Sequence, residues 1–261
     1  MDPAAAPADH AAAGALPQPQ RLPLYLQISE LLVREIAAGR WQPGDRLPTE
    51  AALASRLGVA VGTLRKALAE LQARGLLQRR QGSGTYLRQA EGQRSIYGFF
   101  RLERADGGGG LPTADVLAFD RIMRPAGLPA LGGAPDGDPQ PVWRVRRLRH
   151  LDHQPVALED ICFDARGREA LTVADLHESL YHFYAQRLGF WIAQVDDQIG
   201  LGTVPDWTDA APHAGRLGRG LQPGQPAVQV VRRAWSQHGV LAEVSSTWFD
   251  SRVARYGARW R

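Results

Sequence analysis

Cysteine is nearly missing from this 261-residue chain: Cys162 stands alone, which excludes an internal disulfide and a cysteine-based metal centre. Lysine is as scarce, Lys66 being the single one among 31 basic residues. No apolar run approaches the ~20 residues that a bilayer-spanning helix requires. The opening stretch MDPAAAPADHAAAGALPQPQ has neither a basic start nor a continuous apolar segment, so a secretion signal is not expected. Residues 1–20 read instead as an Ala/Pro-rich disordered tail. A reducing, cytoplasmic setting without membrane contact is the expectation. Catalytic signatures are lacking as well, with no G-x-S-x-G elbow and no G-x-x-x-x-G-K-[ST] phosphate loop. The Gly107–Gly110 run reads as a flexible loop, not a phosphate cradle. The histidines are scattered: His150 and His153 flank a turn, and His177 and His182 lie five apart, so neither pair has the i, i+4 spacing of a helical metal site. No metal and no cofactor are expected.

What is present begins with charge. At 44% hydrophobic and 22% charged residues the chain is globular, and its length suits one large or two ordinary domains. Its net charge of +4 is unevenly placed. Residues 21–89 hold 11 basic and 5 acidic residues, residues 1–20 hold two acidic ones, and the remaining 172 balance at 20 of each sign. A positive excess confined to one short segment favours a nucleic-acid-binding module joined to a neutral one. A merely soluble basic domain is the alternative.

Residues 23–38 place Leu24, Ile28, Leu31, Leu32 and Ile36 on one helical face, with Pro23 suited to the first turn. After a Gly/Pro-rich break, Thr49 is a suitable N-cap for a helix over residues 50–57, which turns Leu53 and Leu57 inward. A third helix is expected from Ala60 to Arg74, burying Leu64, Ala67, Leu68 and Leu71. Strands at 76–81 and 85–87, joined by Gly82-Ser83-Gly84, complete a hairpin. Three helices and a basic hairpin make a winged helix-turn-helix over residues 21–89, with the outer face of the third helix free to enter a major groove about 12 Å wide. Residues 90–95 are polar and read as a linker.

From residue 96 to 261 the texture changes. Strands are expected at 96–102, 115–123, 142–151, 155–163, 191–202, 227–237 and 241–250, with helices near 179–188 and 210–217. Short turns between neighbours indicate antiparallel pairing, so the fold class is α+β, with an antiparallel sheet in the second domain.

The motifs PLY.QI, G…PGD.LPTE, T.R.AL..L…GL and GSGTY, spread over residues 23–88, resemble the DNA-binding domain of GntR-family transcriptional regulators. RLRHLDHQPVALED (147–160), SLYHFYAQRLGF (179–190), LQPGQPAVQVVRRAW (221–235) and EVSSTWFD (243–250) are similar to the UTRA effector-binding domain of the HutC-type subfamily. That resemblance implies a chorismate-lyase-like fold with a pocket for a small metabolite. It also implies DNA contacts from Thr49, Glu50, Gly62, Thr63, Arg65 and Lys66, and from Arg79, Arg80, Gln81, Gly82, Ser83 and Gly84 in the wing. A solvated Arg65, a surface Lys66 and an ordinary β-turn are the plain alternatives. The chain departs from the family where members usually carry Ser or Thr at Ala60 and arginine at Ala51 and Val61. Losing that helix cap costs roughly 1 kcal/mol. The small first turn lets backbone approach DNA, and Val61 is placed to meet a thymine methyl group.

For the second domain, Arg147 and Arg149 alternate along one strand and share a face, a site for phosphate or carboxylate. The UTRA resemblance places its anion contacts on this strand, and polar ligand contacts at Glu159 and Glu243. A solvated face of salt bridges among these four is the alternative. Phe99, Arg101, Ser245 and Tyr256 complete the candidate effector site. The aromatics around them, Phe100, Tyr181, Phe183, Tyr184, Phe190 and Trp191, read as core or dimer contacts. The expected function is a DNA-binding regulator, a repressor, acting as a homodimer on a pseudo-palindromic duplex with half-sites ~34–36 Å apart. Its effector is expected to be a sugar phosphate, phosphonate or carboxylate. An enzyme of chorismate-lyase-like fold and a constitutive DNA-binding protein without effector are the competing classes. With Lys66 on the DNA helix, no lysine remains for a pyridoxal Schiff base.

Overall fold

The computed structural model describes residues 18–88, 99–168, 170–209, 217 and 219–259. The expected linker at 90–95, most of the tail and most of the expected helix at 210–217 lie outside the described residues.

Helix α1 (Leu24–Ala37) follows Pro23, which is the N-cap and not part of the first turn. Helix α2 (Glu50–Leu57) is capped by Thr49, whose hydroxyl accepts from the Ala52 amide at 3.3 Å, and is ended by Gly58 in the left-handed conformation (φ 65°). Helix α3 (Val61–Ala73) begins at Ala60 with no side-chain cap, as its composition requires. Leu32, Leu53, Leu64, Ala67, Leu71 and Leu77 close the core between them. Buried Glu30 accepts from Arg74 Nη1 at 2.7 Å and ties α1 to α3. The apolar stripe expected on α1 is not its whole buried surface. Leu24 is 52% exposed, while Arg34 and Glu35 are buried, because a second side of the helix faces the C-terminal domain. Strands β1 (Leu77–Arg80) and β2 (Gly84–Leu87) form the hairpin. The run before α2 lies along it, with the Leu47 amide donating to the Thr85 carbonyl at 2.9 Å.

The C-terminal domain is a six-stranded antiparallel sheet in the order β4-β5-β6-β9-β8-β7. Its members are β4 (Pro112–Met123), β5 (Pro141–Leu151), β6 (Gln154–Asp164), β7 (Ile192–Thr203), β8 (Pro226–Ser236) and β9 (Leu241–Phe249). The β5–β6 turn puts Asp152 and His153 at φ 48° and 68°, the twist-matched hairpin conformation. Asp152 is fixed there by the Leu111 amide at 2.9 Å and Arg104 Nη1 at 3.1 Å. Two expectations need correction. Within 96–102, residues 99–101 are not strand; β3 (Leu102–Arg104) starts later and pairs outside the main sheet with β10 (Ala254–Tyr256). The helix at 179–188 is α only over α4 (Leu180–Phe183) and continues as a π-helical turn over Tyr184–Leu188. There Phe183 and Tyr184, adjacent in sequence, both reach the Phe163 ring, at 6.1 and 5.4 Å.

Strand alternation sorts the sheet into two faces. One carries Arg147 and Arg149, Glu159 and Ile161, Glu243, Ser245 and Thr247, Val230 and Arg232, all lining one cavity beneath α4. The opposite face packs Leu148, Leu158 and Trp248 against Leu117, Val204 and Leu221.

His177, at the edge of this layer, accepts through Nδ1 from the Ser179 amide at 2.9 Å and lies 4.6 Å, ring to ring, from His182. Burial, the neighbouring His182 and Arg147 lower it from 6.5 to about 4. Between those values the unfolded chain binds a proton that the folded chain refuses, so stability falls as pH drops through that window. The His177→Gln variant is therefore expected to lose stability less steeply than wild type from pH 6.5 to 4 in denaturant titrations. Parallel slopes would show that His177 is not held neutral.

Candidate functional site

The head presents its basic residues along α3 and the hairpin. Arg65 and Lys66 are exposed on α3, and Gly62 faces open space where a Cβ would touch nothing. Arg65 is not a loose side chain: its Nε donates to Glu50 Oε2 at 2.6 Å. Glu50 Oε1 also stands 3.7 Å from Arg79 Nη2. One carboxylate at the start of α2 thus gathers an arginine from α3 and another from β1. In the hairpin, Arg80 lies over the Tyr86 ring at 4.4 Å, and Ser83 and Tyr86 share a hydrogen bond of 2.7 Å. Gln81 and Gly82 form the exposed tip, with Gly82 at φ 71°. Thr49 serves as a helix cap, and Thr63 is half-buried. Arg46 carries no motif signal in the sequence. It is exposed, bridges to Tyr86, and lies so close over the hairpin that a Cβ on Gly84 would fall 2.8 Å from its Nε.

In the cavity, Glu159 is buried between two guanidiniums. It accepts from Arg147 Nε at 2.9 Å and Nη2 at 2.7 Å, and from Arg149 Nη2 at 3.0 Å. Both arginines also donate Nη1 to the Glu178 carbonyl, each at 3.2 Å. Burial alone would raise the Glu159 carboxyl; the two guanidiniums outweigh it and hold the group down at about 2. Arg147 is pulled below the ordinary arginine range by burial and by repulsion from Arg149. Across the floor, Arg232 forms a two-pronged pair with Asp197, both bonds 2.6 Å, and Tyr256 donates to the same carboxylate. Glu243 accepts from Tyr184 at 2.6 Å and from Tyr181 at 3.4 Å. Burial pushes Glu243 up, toward its protonated form.

The arrangement is suited to binding. Two guanidiniums face one carboxylate, a setting for charge-assisted hydrogen bonds to an anion. Ser245, Thr247 and Glu243 offer polar side chains for hydroxyl groups. Histidine, lysine and cysteine are all missing from the described lining. Of the eight residues expected for the effector, Arg101, Arg147, Arg149, Glu159, Glu243, Ser245 and Tyr256 line this one cavity. Phe99 does not; it packs edge-on against Tyr181 at 6.1 Å, and its neighbour Phe100 lines the cavity instead. Arg232 and Tyr181 line it unforeseen. The alternation of VVRRAW would have assigned Arg232 to the face of Val230 and left Arg233 on the other.

Comparison with known proteins covers both halves. Residues 24–87 match the family described as bacterial regulatory proteins, gntR family, and residues 108–254 match the UTRA domain. The chain is 48% identical over 240 residues to the HTH-type transcriptional regulator SmoD of Agrobacterium fabrum, covering 92% of this chain and 97% of that protein. It is 35% identical to the mannosyl-D-glycerate transport/metabolism system repressor MngR of Escherichia coli over 62% of this chain and 67% of that one. The solved ligand-binding domain of a GntR-family regulator from Bordetella bronchiseptica superposes with a TM-score of 0.52 at 21% identity, over 63% of this chain and 99% of that one, a likeness of fold. The two matches together span most of the chain, and it belongs to the GntR family of bacterial transcriptional regulators that carry a UTRA effector-binding domain.

Proposed function

We propose that this regulator is a repressor whose effector is an anionic carbohydrate, a sugar carrying a phosphate, phosphonate or carboxylate, held in the cavity floored by Arg147 and Arg149. The observation that carries the reading is the uneven pairing there: two buried guanidiniums share one carboxylate, Glu159, as their ion-pair partner, while the second buried carboxylate of the cavity, Glu243, is engaged by Tyr184 and Tyr181. A neutral sugar leaves that imbalance in place, whereas an anion removes it. The name of the MngR relative supports the class, since mannosyl-D-glycerate is a glycoside bearing a carboxylate. The protein senses its ligand and does not convert it.

The working unit is a homodimer in the cytoplasm, gripping two half-sites of a duplex. Strand β7 supports a second copy: it is a twelve-residue edge strand that exposes Ile199 at 54% and Leu201 at 89%, a surface that soluble proteins cover. The DNA contacts are the exposed Arg65, Lys66, Arg79, Arg80 and wing tip, with Gly62 admitting close backbone approach and Glu50 positioning Arg65.

Two measurements test these assignments. On a duplex selected from a random pool by the wild-type protein, Arg65→Ala is expected to weaken binding by about 1–3 kcal/mol. Glu50→Gln keeps Arg65 but unfixes it, and is expected to narrow the gap between selected and scrambled duplexes. Unaltered binding in Arg65→Ala would mean that α3 is not the reader. For the cavity, a thermal-shift panel pairs sugar phosphates, phosphonates and glycosyl carboxylates with their uncharged counterparts. Only anionic members are expected to stabilise wild type, and Arg147→Gln is expected to lose that response while still binding the selected duplex. Stabilisation by the uncharged partners alone, or an intact response in the variant, would refute the ligand class.

A further inference from the structure

The run Gly107-Gly108-Gly109-Gly110 belongs neither to the DNA face nor to the cavity, yet α1 is packed onto it. Arg34, buried on α1, donates Nε to the Gly110 carbonyl at 2.8 Å, Nη1 to that of Phe100 at 3.2 Å and Nη2 to that of Leu102 at 2.6 Å. The Gly109 carbonyl is a further acceptor of the same guanidinium. The adjacent Glu35 accepts from the Gly109 amide at 2.7 Å and holds Arg40 at 2.5 Å. Two neighbouring side chains of one helix therefore satisfy the backbone groups that a bare glycine loop leaves open. Space agrees with the hydrogen bonds. A Cβ on Gly109 would fall 2.9 Å from Arg34 Cβ and 3.0 Å from the Arg34 carbonyl carbon.

The seat touches the cavity through one ring. The Arg34 guanidinium lies 4.7 Å from the centre of Phe100, and Arg149 lies 5.2 Å from the same ring. Phe100 lines the cavity, and Arg149 shares Glu159 with Arg147. A second strap runs beside it. Gln20 exchanges backbone hydrogen bonds with Leu176 and Glu178 at 2.9 and 3.2 Å, and the Glu178 carbonyl is the acceptor common to both cavity arginines.

We propose that the tetraglycine loop is the docking seat of α1, and that Phe100, held between Arg34 of the head and Arg149 of the cavity floor, makes the seated state answer to how Arg149 is engaged. An anion that draws Arg149 toward itself removes that cation from the ring and loosens the head. The link to a ligand rests on the cavity reading above; the seat and its dependence on Arg149 rest on contacts within the chain alone.

Hydrogen exchange on the full-length protein, free of DNA and ligand, tests both parts. Gly109 is the clean probe, since Gly107, Gly108 and Gly110 sit at φ 102°, 92° and 60° and Gly109 has no positive φ, so Gly109→Ala adds bulk without backbone strain. In that variant the amides at the C-terminal end of α1 and in the 104–111 loop are expected to exchange about ten-fold faster, while α3 keeps its wild-type rates as a check on folding. Arg149→Gln is expected to change the same α1 amides in the wild-type background and to add nothing to Gly109→Ala, the non-additivity of a shared contact. Wild-type exchange of α1 in Gly109→Ala overturns the seat; α1 indifferent to Arg149→Gln overturns the relay. A cavity that binds no anionic sugar would refute the ligand class and leave both exchange results standing.

Discussion

Glu159 lies out of water between Arg147 and Arg149, and the three charges do not cancel. The register of β5 on β6 sets Arg147 opposite Glu159, and alternation brings Arg149 to the same face two residues on. The carbonyl of Glu178 gives each guanidinium one more acceptor, which allows burial without giving either arginine a carboxylate of its own. A buried charge left in excess costs stability, and proteins keep such features where a ligand completes them. The lower side of the cavity follows the opposite rule. Arg232 has Asp197 as a two-pronged carboxylate partner, which neither Arg147 nor Arg149 has to itself.

In the head, a comparable economy of means explains the weak start of α3. Ala60 provides no cap, and Gly62 opens the surface instead of filling it. Compensation comes from tertiary contacts: Leu64, Ala67 and Leu71 are buried to the last atom, and Arg74 closes onto Glu30 at the far end. With no arginine at Ala51 or Val61, positive charge on the proposed DNA face comes from Arg65, Lys66, Arg79, Arg80 and Arg46. Glu50 organises Arg65 and Arg79 by accepting from one and standing close to the other. Arginines fixed before binding lose less side-chain freedom when a duplex arrives.

Much of this was legible in the sequence because it depends on short-range periodicity. Leu64, Ala67, Leu68 and Leu71 recur at helical spacing and are buried; Arg147 and Arg149 recur at strand spacing and share a face. What escaped depends on contacts distant in the chain. Nothing local marks Arg34 and Glu35 as buried, since the surface that covers them lies some seventy residues away. Phe99 and Phe100 are equivalent until the chain's path past β3 decides which ring enters the cavity. The tetraglycine run looked like slack because glycine signals freedom; the constraint on Gly109 comes from the helix that presses on it.

The imbalance itself is open to a test that needs no ligand. Denaturant unfolding of Arg149→Gln and Glu159→Gln compares removal of the surplus cation with removal of the shared anion. The expected result is that Arg149→Gln is as stable as wild type or more so, whereas Glu159→Gln, leaving two guanidiniums face to face, loses about 3–5 kcal/mol. Equal losses in the two variants would mean that the cluster is a balanced structural network, and that no anion is awaited there.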